Sequence, residues 1–249
     1  MLRFAVVGDP VSHSRSPAIH TKALRLAGLE GTYVARRVPR GGMAAVVAGI
    51  RSGELDGVNV TMPLKGEAYE AAELKTPEAE RSSSVNTLRL RDGLIEGHST
   101  DVVAFAEAYG KAPAGAPLLV LGAGGSARAA VAAWQGGRVF VSTRDPQKAA
   151  SLGTPVPWGE PVEGAVVANA TPIGMKGEDL PREVLEAANH LVDLPYGAQE
   201  TPAVRYARER GIGHTDGIEF LARQALAAFR WWTGVDVDLA PLIEVARNA

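Results

Sequence analysis

Leu118-Leu119-Val120-Leu121-Gly122-Ala123-Gly124-Gly125-Ser126-Ala127 is the stretch that decides the fold. Its four apolar residues predict a buried strand, its glycines a tight turn, and Ser126 the start of a helix. Gly122, Gly124 and Ala127 have the G-x-G-x-x-G/A spacing, which allows a tight turn, close approach of a pyrophosphate, and close packing of helix on strand. The free N–H groups of a helix N-terminus also suit phosphate. We therefore predict a dinucleotide site formed by Gly122, Ala123, Gly124, Gly125, Ser126 and Ala127, with a purely structural glycine turn as the alternative.

The end of the next predicted strand indicates which dinucleotide binds. An NAD site carries Asp or Glu about 20 residues after the glycines to hold the ribose 2′-hydroxyl. Here the strand ends Val141-Ser142-Thr143-Arg144, and Arg144 can bind a 2′-phosphate. Lys148 would lie on the same face one helical turn later. The pattern favours NADP, although Asp145 lies between the two cations, and the alternative is that both are ordinary surface charges.

A β-α-β alternation extends in both directions and predicts an α/β fold with two domains. Toward the C-terminus, strands are predicted at 118–121, 138–142, 165–168, 190–194 and 211–214, and helices at 126–134, 146–150, 181–187 and 201–210. Toward the N-terminus, strands are predicted at 2–7, 32–38 and 55–60, with helices at 16–27, 43–51 and 101–109. A hairpin of 84–90 and 94–97 surrounds the Asp92-Gly93 turn. Residues 111–117 form the predicted domain junction, and helices at 218–232 and 239–247 end the chain.

The helix predicted at 16–27 has clear start and stop signals. Ser16 is the expected N-cap and Pro17 the first helical residue, because serine accepts hydrogen bonds from the free N–H groups and proline lacks one. Gly28 is expected to stop the helix, since glycine adopts the left-handed conformation of a C-terminal cap.

Asn59-Val60-Thr61-Met62-Pro63-Leu64-Lys65 is the second informative stretch. A strand is predicted to end near Thr61, because Pro63 has no N–H for a sheet. Ligands of open α/β sheets bind outside the carboxyl ends of the strands. Asn59 and Thr61 can donate and accept hydrogen bonds, and Lys65 can donate and exchange a proton. The stretch predicts a site for a small oxygen-rich molecule, with a plain loop before a surface helix as the alternative.

Composition narrows the function classes. The 249 residues include no cysteine, which excludes disulfides, zinc–thiolate sites and a thiol nucleophile. The net charge of −2 gives no overall attraction to nucleic acid or anionic membranes, and no apolar run is long enough to span a bilayer. A cytoplasmic protein is therefore expected. No metal is expected either, since His13 and His98 lack partners at ligand spacing and are interpreted as hydrogen-bonding loop residues.

Several motifs in one order give the chain a resemblance to the shikimate dehydrogenase family over nearly its whole length. They are Pro10-Val11-Ser12-His13-Ser14-Arg15-Ser16-Pro17, Asn59-Val60-Thr61 with Pro63 and Lys65, Val85-Asn86-Thr87, Thr100-Asp101, the turn at 122–127, Asn169-Ala170-Thr171-Pro172-Ile173-Gly174-Met175, and Gly217-Ile218-Glu219-Phe220-Leu221 with Gln224. The resemblance implies NADP-dependent, reversible reduction of 3-dehydroshikimate to shikimate, in chorismate and aromatic amino acid biosynthesis. The expected partner is this small-molecule substrate, with no nucleic acid and no membrane, and the expected assembly is a monomer or homodimer.

The resemblance also implies a domain layout and residue roles. Residues 1–101 and 218–249 would form a discontinuous substrate-binding and catalytic domain with a mostly parallel sheet, and 102–217 a Rossmann-like NADP-binding domain. The active site would lie in the cleft between them, with Lys65 and Asp101 as the catalytic pair. The implied substrate-binding residues are Ser14, Ser16, Asn59, Thr61, Lys65, Asn86, Asp101, Tyr196 and Gln224. Besides the glycine turn, the implied cofactor-binding residues are Thr143, Arg144, Lys148, Thr171, Met175, Leu194 and Gly217.

Three residues depart from the family pattern. Ser99 stands where asparagine usually precedes Thr-Asp, Gly197 stands where asparagine is common, and Asp145 stands where Ser or Thr often helps bind the 2′-phosphate. The last departure weakens the expected preference for NADP. Two alternatives stay open: a quinate/shikimate dehydrogenase that uses NAD or NADP, and a non-catalytic dinucleotide-sensing protein. Intact Lys65 and Asp101 argue against the sensor, which has no need of a proton-transfer pair.

Overall fold

The computed structural model describes residues 1–110 and 114–249, which form two compact units. Unit 1 comprises Met1–Val103 and Leu221–Ala249, and unit 2 comprises Ala104–Phe220. The junction predicted at 111–117 falls partly on 111–113, outside the described residues. Within the described ranges, no helix has both the length and the apolar character needed to cross a bilayer.

Unit 1 is built on a six-stranded mixed sheet. Its strands are β1 (Leu2–Gly8), β2 (Gly31–Arg37), β3 (Gly57–Val60), β4 (Leu74–Lys75), β5 (Thr87–Arg91) and β6 (Leu94–His98), in the order β2-β1-β3-β5-β6-β4. β1 pairs in parallel with β2 and β3, and β4 with β6, whereas β5 is antiparallel to β3 and β6. The helices that follow these strands are α1 (Ser16–Leu26), α2 (Met43–Arg51), α3 (Lys65–Ala71), α4 (Pro77–Ser82) and α5 (Thr100–Tyr109).

The hairpin of β5 and β6 is confirmed, and its turn explains why it forms. Asp92 has φ 51° and Gly93 has φ 80°, the left-handed region that both positions of a two-residue type I′ turn require. The hairpin places Leu88 opposite Val58 of β3, and both side chains are fully buried together with Ile95. The apolar core of unit 1 thus fixes the register of the strands whose ends carry the polar motifs.

Unit 2 is built on a six-stranded, wholly parallel sheet. Its strands are β7 (Leu118–Leu121), β8 (Val139–Ser142), β9 (Thr154–Val156), β10 (Ala165–Asn169), β11 (Ala188–Asp193) and β12 (Gly213–Thr215), in the order β12-β11-β10-β7-β8-β9. Its helices are α6 (Gly125–Ala133), α7 (Pro146–Ala150), α8 (Arg182–Glu186) and α9 (Pro202–Glu209), and α10 (Gly217–Thr233) and α11 (Ala240–Arg247) end the chain. This is the doubly wound order of a Rossmann fold, as predicted.

The point where the strand order reverses positions the candidate cofactor site. All four residues of β7 are fully buried, as a strand covered on both faces requires. β7 pairs with β8 on one side and with β10 on the other. In such sheets ligands bind beyond the carboxyl ends of the strands at this reversal. Here those ends are Leu121 and Asn169, and each leads into one of the predicted cofactor motifs.

Local details differ from the sequence-based expectation at several places, and the short strand β9 was not predicted. Arg15, not Ser16, is the N-cap of α1, and the N–H of Ser16 is instead bonded to the Ser14 hydroxyl at 3.3 Å. The polar stretch after Lys65, to which the pattern gave no element, forms α3, β4 and α4. A signal for α4 was present, because Thr76 before a proline accepts from the N–H of Ala79, as a capping threonine does.

Candidate active site

Polar side chains collect at one edge of the unit 1 sheet. Asn59 lies one residue before the end of β3, Asn86 directly precedes β5, and Asp101 lies in the first turn of α5, just after β6. Because β5 runs antiparallel to β3 and β6, its start lies at the same edge as their ends. Lys65, the first residue of α3, reaches the same edge, where its amine meets Asp101. The topology therefore gathers residues that are up to 42 positions apart in the sequence.

Lys65 and Asp101 form a partly buried ion pair. Nζ of Lys65 lies 2.5 Å from Oδ2 of Asp101, and the two side chains are 16% and 6% exposed. The other carboxylate oxygen accepts a 3.0 Å hydrogen bond from Nδ2 of Asn86. Oδ1 of Asn86 accepts a 2.7 Å bond from the N–H of Thr100, which fixes the orientation of the amide. An amine held against a carboxylate, with both at the edge of a sheet, is an arrangement suited to proton transfer.

Tyr33 is a residue of this site that the sequence analysis missed. Its hydroxyl donates a 2.7 Å hydrogen bond to Oδ1 of Asn59, whose Nδ2 donates to Oγ1 of Thr87 at 3.1 Å. Burial raises the pKa of Tyr33 well above its ordinary value, and a hydrogen bond with Ser16 has a smaller opposing effect. Tyr33 is therefore a neutral donor that contacts two of the implied substrate ligands. A tyrosine within a strand gave no signal of this, because strands favour aromatic residues for packing.

His20 packs behind Tyr33. The two rings are stacked, with centroids 4.2 Å apart and planes 3° from parallel. Burial lowers the pKa of His20 to about 3, so its imidazole is neutral near pH 7. Trp232 lies against the same histidine, with ring centroids 5.4 Å apart. The Tyr33 ring is thus packed against other rings, and its hydroxyl bonds to Asn59.

Gln224 joins the polar network from α10. Its Oε1 accepts a 3.4 Å hydrogen bond from Nδ2 of Asn86, and its Nε2 donates to the carbonyl of Leu221 at 2.9 Å. The Leu221 carbonyl accepts only, so the amide nitrogen must face it and the amide oxygen must face Asn86. The Gln224 side chain is thereby oriented, and it is 8% exposed.

The remaining implied ligands of unit 1 lie on the loops after β1 and β3. Ser14 precedes α1, and Ser16 is its first residue and nearly fully buried. Thr61 follows β3, and the N–H of Asp9 donates to the carbonyl of Met62 at 3.0 Å, so the two loops lie side by side. A Cβ at Gly8 would overlap Cγ2 of Thr61, which is why glycine ends β1.

His98 ends β6 rather than lying in a loop, so that part of its interpretation was wrong. Its Nδ1 lies 2.7 Å from Oγ1 of Thr76 and 3.6 Å from a carboxylate oxygen of Glu78. Burial lowers the pKa of His98 and keeps the ring neutral near pH 7. Across residues 1–110 and 114–249, no three or more His, Asp or Glu side chains are grouped so that they could hold a metal ion.

The glycine turn of unit 2 has the backbone conformation and the small residues that its sequence motif requires. Gly122 has φ 109°, and a Cβ there would lie 3.1 Å from the carbonyl oxygen of Ala170, so only glycine fits. Ala127 is fully buried, where its small side chain lets α6 approach the sheet. A Cβ at Gly124 would meet no heavy atom of the described residues within 4 Å. The space before the N-terminus of α6 is therefore open to a phosphate group, which a side chain at 124 would fill.

The end of β8 carries the residues implied for the 2′-phosphate. Thr143 follows the strand, and Arg144 is exposed beside it. Asp145 is the N-cap of α7, where its Oδ1 accepts from the N–H of Lys148 at 3.3 Å. Its Oδ2 lies 3.1 Å from Nζ of Lys148. Asp145 thus pairs with Lys148, one of the two cations expected to bind phosphate.

The residues implied for the nicotinamide end lie on the connections after β10 and β11. Thr171 and Met175 follow β10, and Leu194 and Tyr196 follow β11. Thr171 is half-buried and Met175 is 39% exposed.

Gly217, the first residue of α10, packs directly against the connection after β11. A Cβ there would lie 2.5 Å from the carbonyl oxygen of Leu194 and would overlap that of Pro195. The close approach of these backbones requires glycine at 217.

Comparison with known proteins agrees with this arrangement. A model of the shikimate dehydrogenase substrate binding domain matches residues 6–88, and a model of the shikimate 5′-dehydrogenase C-terminal domain matches residues 217–247. The shikimate dehydrogenase (NADP(+)) of one strain of Thermus thermophilus is 40% identical over 261 aligned positions, which cover 100% of this chain and 99% of that protein. The corresponding protein of Archaeoglobus fulgidus is 35% identical, with the same coverage.

A solved structure extends the likeness to three dimensions. The shikimate 5-dehydrogenase of another Thermus thermophilus strain, crystallised in complex with NADP(H) and shikimate, aligns with a TM-score of 0.90 at 38% identity. The alignment covers 100% of this chain and 99% of that one. With full-length relatives at this identity and the same fold, the chain belongs to the shikimate dehydrogenase family.

Proposed function

We propose that the protein catalyses the reversible, NADP-dependent reduction of 3-dehydroshikimate to shikimate, in chorismate and aromatic amino acid biosynthesis. The observation that carries this proposal is the 2.5 Å contact of Lys65 Nζ with Asp101 Oδ2, set among buried neutral amides and hydroxyls. The relatives of 40% and 35% identity are named for this activity and cofactor. In this proposal, residues 1–101 and 218–249 bind the substrate, and residues 102–217 bind NADP.

The polar set suits a small ring that carries hydroxyls and one carboxylate. Amides and hydroxyls both donate and accept hydrogen bonds. A ring hydroxyl can therefore be bound, as donor or as acceptor, by Asn59, Thr61, Asn86 and Gln224. The substrate carboxylate is expected near the loop that leads into α1. There the Ser14 and Ser16 hydroxyls stand at the start of an 11-residue helix, whose N-terminus attracts anions.

Lys65 and Asp101 perform the proton transfer. A ketone that becomes an alcohol needs a proton at its oxygen as hydride reaches its carbon, and the Lys65 ammonium can donate that proton. In the reverse direction the neutral amine takes the proton back. Asp101 orients the amine through the 2.5 Å contact and can accept a hydrogen bond from a neighbouring substrate hydroxyl. Asn86 holds the carboxylate in place by its 3.0 Å bond.

The residues of unit 2 fit NADP. The open space at Gly124 and the N-terminus of α6 suit the pyrophosphate, and Arg144 with Thr143 suits the 2′-phosphate. When bound, the nicotinamide supplies the hydride chemistry. Thr171, Met175, Leu194 and Gly217 are proposed to hold that end of the cofactor, and Tyr196 to act near the substrate.

A spectrophotometric assay tests the reaction. Purified protein with shikimate and NADP should produce NADPH, and prior treatment with a chelator should leave the rate unchanged. Parallel assays with quinate and with NAD measure the preference for each substrate and cofactor. Measurable NADP binding without turnover of either substrate would contradict the proposal and favour a dinucleotide sensor.

We also propose a cytoplasmic location and a monomeric or homodimeric state. A chain without cysteine suits the reducing cytoplasm. Light scattering after size-exclusion chromatography measures the number of subunits, and a stable tetramer would contradict the proposed monomer or homodimer.

A further inference from the structure

Asp193 is a buried carboxylate that the proposed mechanism does not use. It is the last residue of β11, at the carboxyl edge of the parallel sheet, and it is 0% exposed. Its Oδ1 accepts a 2.7 Å hydrogen bond from Nδ2 of Asn169, and its Oδ2 accepts a 2.5 Å bond from Oγ1 of Thr201. Each oxygen of the carboxylate therefore binds a side chain from a different segment.

The bond to Asn169 fixes the connection that follows β10. Nδ2 of Asn169 also donates to the carbonyl of Ile173 at 3.0 Å. Asp193 and that carbonyl only accept, so the amide nitrogen must face them. Oδ1 of Asn169 then accepts from Thr171, at 3.1 Å from its N–H and 2.6 Å from its hydroxyl. The first residues of the connection are thus bound to the side chain that Asp193 orients.

The bond to Thr201 fixes the connection that follows β11. Thr201 is the N-cap of α9, and its Oγ1 accepts from the N–H of Val204 at 3.3 Å while it donates to Asp193. A Cβ at Gly174 would lie 3.3 Å from Cβ of Thr201, so the connection after β10 also packs on this residue. The backbone N–H of Leu194 bonds to the carbonyl of Asn169 at 3.1 Å and joins the two connections directly.

We propose that Asp193 is a positioning residue for the nicotinamide end of the cofactor, because its carboxylate holds in register the two connections, 169–175 and 194–201, that carry the residues facing that end. They are Thr171, Met175 and Leu194, which the proposed function assigns to that end. The inference rests on the proposed function. Asp193 would thus affect the rate of the reaction although it touches neither substrate nor cofactor.

The chemistry of the carboxylate explains why asparagine is not an equivalent residue. Both bound groups, the Asn169 amide nitrogen and the Thr201 hydroxyl, donate hydrogen bonds to Asp193, so the site requires two acceptors. An asparagine at 193 has the same shape but only one acceptor. Its amide nitrogen must face either the Asn169 nitrogen, which is a donor–donor contact, or the Thr201 hydroxyl, which then has to accept and no longer donates to residue 193. Either connection then moves, and a misplacement of about 1 Å can cost about 100-fold in rate.

The first test is Asp193→Asn. We expect kcat with shikimate to fall about 10- to 100-fold, while the Kd of NADP changes less than about threefold because its phosphates bind elsewhere. With shikimate deuterated at the carbon that loses hydride, the isotope effect on kcat should increase, since hydride transfer becomes rate-limiting. The matched control is Asp179→Asn, an exposed carboxylate on the same β10–α8 connection, which should behave as the wild type. A folded Asp193→Asn protein with wild-type kcat and isotope effect would overturn the inference.

Thr201 provides a second pair of variants in case Asp193→Asn does not fold. Thr201→Ser keeps the hydroxyl that donates to Asp193 and caps α9, whereas Thr201→Val has the same shape without it. The serine variant should retain kcat and the valine variant should lose it, in the range expected for Asp193→Asn. Equal kcat values for the two variants would overturn the inference.

The wild type separates failure of the inference from failure of the proposed function. If the wild type turns over neither shikimate nor quinate, the proposed function fails. The emission spectrum of bound NADPH then decides the inference, because it reports on the surroundings of the nicotinamide. A spectrum that differs between wild type and Asp193→Asn at equal NADPH affinity supports the positioning role, and identical spectra exclude it.

Discussion

The hydroxyl of Tyr33 donates a 2.7 Å hydrogen bond to the side-chain oxygen of Asn59. The amide nitrogen of Asn59 donates to Thr87 at 3.1 Å, and the Thr87 hydroxyl donates to the side-chain oxygen of Asn86 at 3.3 Å. Asn86 in turn holds Asp101 at 3.0 Å. A line of buried hydrogen bonds thus connects Tyr33, on the edge strand β2, with the proton-transfer pair.

Tyr33→Phe tests whether this line orients the substrate ligands. Loss of the donor leaves the buried Asn59 oxygen short of a hydrogen bond, which costs about 1–3 kcal/mol. We expect the KM for shikimate to rise about tenfold and the free energy of unfolding to fall by about 1 kcal/mol, with kcat nearly unchanged. Tyr206→Phe in unit 2, whose ring contacts Arg182 and Arg210, is the control. An unchanged KM in Tyr33→Phe would show that Asn59 is oriented without it.

Lys65→Ala tests the assignment of the proton donor. If Lys65 transfers the proton, kcat should fall about 10²–10⁴-fold while shikimate still binds. Asp101→Asn should also reduce kcat, and the double variant should lose much less than the product of the two effects, because the residues act as a pair. Lys22→Ala on α1 controls for the loss of a lysine. A near-normal kcat of Lys65→Ala at saturating shikimate would mean that Lys65 only binds the substrate.

Arg144→Ala tests the basis of the NADP preference. A lost hydrogen bond to a charged group costs about 1.5–3 kcal/mol, which corresponds to about 10- to 150-fold in affinity. The Kd of NADP should rise by that factor, and the Kd of NAD should change less because NAD has no 2′-phosphate. Both constants are measured at one salt concentration, since charge pairs at the surface are screened by salt. Equal weakening of the two cofactors would make Arg144 an adenine-stacking or structural residue.

Asp145→Ser tests the effect of the departure from the family pattern. Asp145 caps α7 and pairs with Lys148 at 3.1 Å. Serine can still cap the helix but leaves Lys148 free to meet the 2′-phosphate, so NADP should bind more tightly and NAD equally well. Asp145→Ala separates the two roles, because it frees Lys148 but removes the N-cap of α7 and so lowers stability. Unchanged NADP affinity in both variants would mean that the pair has no effect on the cofactor.

The pH dependence of stability tests the buried state of Asp193. Burial raises its pKa to about 6, hydrogen bonds from Thr201 and Asn169 oppose the rise, and Asp216 adds to it. An aspartate whose pKa is raised by folding stabilises the folded state fully at pH values below its unfolded pKa, about 3.9. This stabilisation is lost as the pH rises through the folded pKa of about 6. Relative to Asp193→Asn, which cannot titrate, the wild type should lose up to about 3 kcal/mol between pH 4 and 7. Parallel curves of unfolding free energy against pH for the two proteins would exclude the raised pKa.

The sequence by itself determined the elements and their class. The strand, glycine turn and helix at 118–127, the helices at Met43–Arg51 and Pro146–Ala150, and the Asp92-Gly93 hairpin all form where the pattern predicted them. Apolar periodicity, glycine conformation and capping are local properties, so they can be read from neighbouring residues. The motif order also indicated the family and the residues of the candidate site.

Only the tertiary structure decided which side chains meet. The Tyr33 side chain reaches Asn59 across β1, which lies between β2 and β3. Asp193 meets Asn169 because β10 and β11 are neighbours, and it meets Thr201 where α9 begins. Asp145 turns toward Lys148 rather than Arg144 because it caps α7. Hydrogen bonds act over about 3 Å. Except for Asp145 and Lys148, the partners named here are separated in the sequence by many residues or by whole elements. Their contacts exist only once the apolar core has fixed the register of the strands.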